Sequence, residues 1–366
     1  MPALVIAFLI SLVITFFIVR YKHLHLHLTA DSDLTGVQKF HVIPVPRIGG
    51  AAIFIGTLGA LSFKYFQNVE AGLFCLTLLF CSLPAFLAGL LEDITKKVGV
   101  KFRLIATILS AALAGMLLNA WVTSIQVFGI DNLLLVFPVF AITLTCIGVA
   151  GVANSFNIID GYNGLSSMVA ITILAGIAYV SFQVQDHLIM ISALVMMGAL
   201  LGFWIWNYPR GLIFLGDGGA YLIGFWIAEL SVLLTARHNE ISKWFPLLLC
   251  IYPIFETVFT IYRRAILMRK HPGMPDALHL HQLVFKRLVT RTVDRSDIKL
   301  RTQQNARTSP YLWALSFCAV IPAILFWKNH IVLKVFTIVF LLTYLWIYWG
   351  IVRFKSPLIS LRRLLN

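Results

Sequence analysis

Four clusters of polar residues interrupt an otherwise apolar chain, and their types could do chemistry together. Leu91-Glu92-Asp93 sets two carboxylates side by side. Such a pair repels itself unless a cation or a proton lies between its members, although a solvated helix end could carry the same two residues. The run from Asn154 to Leu165 holds Asn154, Asn157, Asp160, Gly161, Asn163 and Gly164. Glycine lets a backbone approach a ligand closely, and Asn and Asp offer directional contacts. A plain connector needs only one or two such residues. Asn207-Tyr208-Pro209-Arg210 is followed by Phe214-Leu215-Gly216-Asp217-Gly218-Gly219, where Asp217 could hold a hard cation or simply sit in a turn. His271-Pro272 through Pro275-Asp276 to His279-Leu280-His281 places two imidazoles two residues apart, suited to metal, phosphate or an exposed surface. Carboxylates, amides and bases gathered at a membrane surface suit a divalent metal holding a phosphorylated substrate.

The elements that must position these groups follow from composition. Hydrophobic residues make up 60% of the 366 and charged residues 12%, against about 45–50% and about 25% in soluble domains. That excludes a soluble protein, a disordered chain and a disulfide scaffold, and points to an all-α polytopic membrane protein. With about 20 apolar residues needed to cross the hydrocarbon, eleven spans are expected, at roughly 3–20, 48–66, 72–91, 102–119, 132–153, 164–182, 185–206, 213–235, 244–268, 310–327 and 331–352. The first is too long, and too poor in small-residue cleavage signals, for a cleaved signal peptide. The whole chain, 1–366, reads as one multi-span domain, with 269–309 as a cytoplasmic loop carrying the His motif. The five cysteines lie singly in or beside apolar stretches and read as packing residues.

The positive-inside rule orients the spans. Apart from Lys64, Arg237, Lys243, Lys328 and Lys334, the 29 basic residues fall on one face, from Arg20, Lys22, Lys39 and Arg47 to the tail residues Arg353, Lys355, Arg362 and Arg363. That face is taken as cytoplasmic, and all four polar clusters lie on it. The net charge of +14 therefore reflects topology and lipid headgroup contact, with no nucleic acid as partner.

In the order and spacing of its motifs the chain resembles the polyprenyl-phosphate N-acetylhexosamine-1-phosphate transferase superfamily, in its undecaprenyl-phosphate GlcNAc-1-phosphate transferase-like branch. The resemblance rests on Pro-Arg-x-Gly-Gly at Pro46–Gly50, the acidic pair, Asn-x-x-Asn-x-x-Asp-Gly-x-Asn-Gly-Leu, Phe-x-Gly-Asp and His-x-His. It implies attack of a polyprenyl phosphate on the β-phosphorus of a UDP-N-acetylhexosamine, giving a polyprenyl-diphospho-sugar and UMP, with Mg2+ (or Mn2+ in its place) as cofactor. It further implies Asp217, with Asp93, as metal ligands and Glu92 and Asp93 as the pair handling the lipid phosphate. Phe214 would stack on uracil, and Asn207 would contact the nucleotide. Asn157 and the catalytic Asp160 would make polar contacts in the nucleotide cleft, Arg47, Asn154 and Asn163 would be further substrate contacts, and the catalytic His279 and His281, with basic residues such as Arg264, would hold the diphosphate. The expected location is a bacterial inner membrane with the site facing the cytoplasm and the lipid bilayer as partner. Self-pairing as a homodimer stays open.

Three departures from the family pattern stand out. The pair is Glu92-Asp93 where Asp-Asp is usual, Asn163 replaces a second Asp, and Gln282 stands where a third His is common. Glu256 and Arg263, seven residues apart, share a helix face and could pair or contact substrate. Glu229 lies toward the far side, away from the cleft. His23, His25 and His27 read as an interfacial stretch. The donor is UDP-GlcNAc by default, or a UDP-linked 6-deoxy-N-acetylhexosamine. The rivals are a nucleotide-sugar transporter, disfavoured by the absence of an internal repeat and by the one-sided clusters, and an inactive relative.

Overall fold

The computed structural model describes residues 1–29, 44–127, 129–269, 276–290 and 298–353. Lys39, His271, Pro272, Pro275, Lys355, Arg362 and Arg363 fall outside them. The described residues are helical with no sheet. Helices α1 (Pro2–Arg20) and α2 (Lys22–Thr29) are followed by α3 (Gly49–Gln67), α4 (Val69–Cys81), α5 (Leu83–Thr95) and α6 (Val100–Leu118). Next come α7 (Ile130–Val136), α8 (Pro138–Ile159), α9 (Leu165–Gln183), α10 (His187–Asn207) and α11 (Gly216–Arg237). The chain closes with α12 (Trp244–Leu249), α13 (Ile251–Tyr262), α14 (Leu280–Val284), α15 (Ile298–Leu325) and α16 (His330–Val352).

Every expected apolar stretch lies on helix, but they are not eleven equal spans. Among the described residues nine helices are long and apolar enough to cross a membrane, or ten when α4 and α5 count as one bent span. The bend there is 46°, beside Pro84, whose ring removes a backbone donor and crowds the preceding turn. The stretch expected at 244–268 is divided between α12 and α13 at Cys250 and then loosens into a π-turn over Arg263–Leu267. Helix α15 starts about three turns before the apolar part of its sequence, and carries Pro310 and Pro322 within it. Side-chain caps mark several starts. Asn68 accepts the N–H of Ala71, Asp186 that of Ile189, and Asn329 those of Ile331 and Val332.

Helix α11 is the axis of the bundle. Trp226, Tyr221 and Phe225 on it are fully buried, and it packs against α3, α5, α8 and α9. Lipid tails are as apolar as leucine, so the hydrophobic effect gives helices little reason to prefer one another. Close packing through small residues is what holds them. A Cβ at Gly50 would strike the backbone of Gly219, and one at Gly89 would strike that of Asp217 and Gly218. Helices α3 and α5 can therefore approach the start of α11 only because those two positions are glycine. The lipid-facing surfaces of α1, α6 and α16 leave Leu9, Ile105 and Trp346 among the exposed apolar side chains, which is ordinary in a bilayer.

Candidate active site

The amino end of α11 gathers three of the four sequence clusters. The Phe214 N–H donates to the Pro46 carbonyl at 2.8 Å, and the Gly49 and Gly50 amides donate to the carbonyls of Phe214 and Leu215 at 3.0 and 2.9 Å. The Pro-Arg-x-Gly-Gly and Phe-x-Gly-Asp segments are thus one interlocked backbone unit. From α5, the buried Asp93 accepts the Asp217 and Gly218 N–H groups, one on each oxygen, both at 2.8 Å. A carboxylate from a neighbouring helix therefore caps α11 and meets its positive dipole end.

Asp217 sits in the resulting cradle, 8% exposed. Its Oδ1 accepts from the Asn157 side-chain amide at 2.9 Å and from Arg47 at 3.1 Å, and its Oδ2 pairs with Arg103. Arg47 also lies 3.6 Å from Asp93. Asp160, just past the end of α8, is close enough to feel Arg47. Burial pushes its carboxyl up to about 7 against the opposing pull of that guanidinium. Three carboxylates and two arginines thus share the end of the bundle where α5, α6, α8 and α11 meet.

The fourth cluster reaches the same end. His279 and His281 stack with ring centroids 5.1 Å apart, and His281 packs edge-on against Tyr162 at 5.5 Å. The His281 Nε2 lies 3.4 Å from where a Gly161 Cβ would stand, and its buried Nδ1 has no partner among the described residues. Burial and then neighbouring His279 push His281 down to about 3, against Glu256 and Asp276, so it is a neutral imidazole near pH 7. Asp276 pairs with Arg263. Burial would raise it, but that guanidinium holds it below the usual carboxylate range.

Other expected site residues are occupied within the chain. Glu92 turns away from the cluster, and its Oε2 accepts the Val98 N–H at 2.6 Å, closing the α5–α6 turn. Asn154 accepts the Tyr221 hydroxyl at 3.1 Å. Asn207 accepts the Gly164 N–H at 2.6 Å and donates to the Ile213 carbonyl at 2.7 Å. Asn163 donates its side-chain amide to Pro209 at 3.1 Å, and its backbone is clamped by Asn305 and Ser309. Asn163 and Asn207 hold the loops in place, with backbone partners that a small-residue loop cannot satisfy alone, while Asn154 ties α8 to α11. Phe214 is half-buried, and Arg264 is buried in the π-turn after α13.

The sequence reading missed four contributors. Arg103, counted only as a topology signal, is the closest partner of Asp217. Asn305, Ser309 and Trp313 of α15 hold the Asn163–Gly164 loop, the last by an indole N–H to the Gly164 carbonyl at 3.1 Å. Glu256 and Arg263 do not pair, since Glu256 meets His279 at 3.0 Å and Arg263 meets Asp276. A basic residue in the first turn of a span looks like any positive-inside residue, and Asn305 lies far from Asn163 in sequence, so neither had a local signal.

Fold and site together define a polytopic helical membrane protein with an acidic, arginine-neutralised cluster and paired imidazoles at one end of its bundle. The chain is similar to members of the polyprenyl-phosphate N-acetylhexosamine-1-phosphate transferase superfamily. Residues 75–235 match the glycosyl transferase family 4 model, a stretch that takes in Asp93, Asp160 and Asp217. A probable undecaprenyl-phosphate N-acetylglucosaminyl 1-phosphate transferase of Bacillus subtilis is 29% identical over 293 residues, covering 77% of each chain. An undecaprenyl-phosphate α-N-acetylglucosaminyl 1-phosphate transferase of Thermotoga maritima is 28% identical, over 76% of this chain and 80% of its own. A phospho-N-acetylmuramoyl-pentapeptide-transferase of Streptococcus pneumoniae is 28% identical over 69% of this chain and 77% of its own.

Proposed function

We propose that the protein transfers an N-acetylhexosamine-1-phosphate from a UDP-sugar, UDP-GlcNAc by default, to polyprenyl (undecaprenyl) phosphate. UMP is released, and the product starts a lipid-linked surface polysaccharide of O-antigen type. The observation that carries this reading is Asp217, fixed at the start of α11 by Arg47, Arg103 and Asn157 and backed by Asp93, with the imidazoles reaching the same loop. A bacterial inner membrane, with this end of the bundle toward the cytoplasm, is the location that fits the charge distribution.

The residues fit a divalent cation of the Mg2+ kind. Their donors are hard oxygens, but among the described residues no group of three or more His, Cys, Asp or Glu is placed to hold a metal ion, so water and substrate phosphates would have to supply most of the shell. Mg2+ is commonly held by one or two carboxylates, with water and substrate phosphates completing its shell. Asp217 would hold it on exchanging its contacts to Arg47 and Arg103. Asp93 has an amide on each oxygen and so acts first as the support of Asp217. When bound, the metal supplies positive charge against the diphosphate oxygens.

The chain's own groups do the rest. A lipid phosphate, with a second pKa near 6, is largely ionised at neutral pH, so no strong general base is required. A lipid phosphate oxygen forms the new bond to the β-phosphorus while the bond from that phosphorus to the bridging oxygen breaks, and UMP leaves with the electron pair. Arg47 and Arg103, beside Asp217, would supply guanidinium charge to offset the repulsion between attacking and attacked phosphates. The Asp160–Gly164 loop, braced by Asn207 and α15, forms a rigid wall beside them.

The test is UMP release by purified protein given undecaprenyl phosphate, UDP-GlcNAc and Mg2+, with Asp217→Asn alongside. Release that needs lipid and metal and collapses in the variant is expected. Activity only with a UDP-linked 6-deoxy-N-acetylhexosamine would change the donor alone. Silence of the well-folded protein with every donor would overturn the transferase reading.

A further inference from the structure

Glu256 has a geometry around it that matches what Asp93 does for Asp217. It lies on α13 with no exposed surface. Its Oε1 accepts from the His279 Nδ1 at 3.0 Å and from the Leu280 N–H at 3.1 Å, and its Oε2 accepts the Tyr344 hydroxyl at 2.6 Å. Leu280 opens α14, so a buried carboxylate from a neighbouring helix again holds a first-turn amide of the element that carries a site residue. An ionised carboxylate can only accept, so His279 must present a proton on Nδ1. Thr260 Oγ1, 3.2 Å from the same nitrogen, shares that side of the ring. The opposite nitrogen, Nε2, lies 4.0 Å from Asp276, beyond hydrogen-bond reach, and Asp276 is itself engaged by Arg263.

We propose that Glu256, braced by Tyr344 of the last helix, is the positioning residue of His279: it fixes the proton on Nδ1 and so presents Nε2 to the sugar diphosphate. As an N–H of the imidazolium, Nε2 donates to a phosphate oxygen, and the charge is balanced by Glu256 behind it. The stacked His281 limits rotation of the ring, and its contact with Gly161 keeps the pair against the Asp160 loop. The proposal rests on the transferase reading for the identity of the ligand, but the Glu256–His279 arrangement stands apart from it. It draws α13, α14 and α16 into the site, all of them outside the 75–235 stretch matched by the family model.

The experiment uses full-length protein in lipid nanodiscs with Glu256→Gln, Glu256→Asp, His279→Ala and the Glu256→Gln/His279→Ala double variant. Steady-state UMP release is measured for each, together with the 15N spectrum of labelled histidine for wild type and Glu256→Gln. Glu256→Gln is expected to lower kcat/KM by about 10- to 100-fold, by analogy with the loss when the outer partner of a metal-ligating histidine is removed. Glu256→Asp, which restores a carboxylate, should recover most of that loss. The double variant should be no worse than His279→Ala, because Glu256 acts through His279. The wild-type spectrum should show a histidine protonated at Nδ1 whose signal shifts in Glu256→Gln. Multiplicative losses in the double variant, or a spectrum unchanged by Glu256→Gln, would overturn the proposal. Absence of lipid-dependent UMP release in the wild type would overturn the transferase reading, while the spectrum would still decide the pairing.

Discussion

Replacing Asp93 by asparagine separates support from metal ligation. Each Asp93 oxygen accepts a backbone N–H at 2.8 Å, and hydrogen bonds to a charged acceptor contribute about 1.5–3 kcal/mol each. Asparagine keeps one acceptor oxygen but turns an NH2 donor toward the other amide. One bond is lost and a buried N–H is orphaned, at a cost of about 2–4 kcal/mol, with a smaller loss of favourable charge at the α11 amino end. At 1.4 kcal/mol per factor of ten, that corresponds to a fall of about 30- to 700-fold if it appears wholly in the population with Asp217 aligned. Thermal unfolding and UMP release would be measured over a range of Mg2+ concentrations. Support predicts a lower melting temperature and a lost rate that added Mg2+ does not restore. A variant that melts like wild type and regains full activity at high Mg2+ would refute this reasoning and make Asp93 a ligand first.

Asp160 links the site to pH. Its folded pKa is raised, to about 7, so its contribution to stability is fully present below the ordinary carboxylate pKa and is lost as pH rises through about 7. In chelator, the melting temperature of wild type relative to Asp160→Asn should therefore fall between pH 5 and pH 8, and a flat difference would contradict the burial of that carboxyl. Gly89→Ala should fail to assemble or lose nearly all activity, since its Cβ would strike the Asp217–Gly218 backbone, and a fully folded, active variant would show that α5 can yield there. Asn305→Ala orphans the buried Asn163 N–H, at about 1–3 kcal/mol. Its KM for the nucleotide sugar should rise more than its kcat falls, and an unchanged KM would detach α15 from the loop.

Two features of this chain had strong signals in one dimension. The apolar runs declare the helices because backbone groups in hydrocarbon must bond within their own segment. Asp93, Asp160, Asp217, His279 and His281 are conspicuous because polar groups at membrane depth are costly and seldom placed without purpose. The Asn-rich loop was equally visible, but its meaning was not. Asn154, Asn163 and Asn207 carry donors and acceptors that suit a ligand or a neighbouring segment equally well, and only the packed structure shows Asn154 turned to Tyr221 of α11 and the other two to neighbouring loops.

By itself, the sequence determined that the protein is a helical membrane bundle carrying a few conspicuous carboxylates and imidazoles, since composition, span length and motif order are local or additive properties. Which charges meet was decided by tertiary structure alone. Arg103 reaches Asp217, Glu256 turns from Arg263 to His279, and Glu92 leaves the cluster to close a turn. The physical reason is that a pairing depends on how closely two helices approach. That approach is set by glycines such as Gly50 and Gly89, whose contacts lie more than a hundred residues away in the chain.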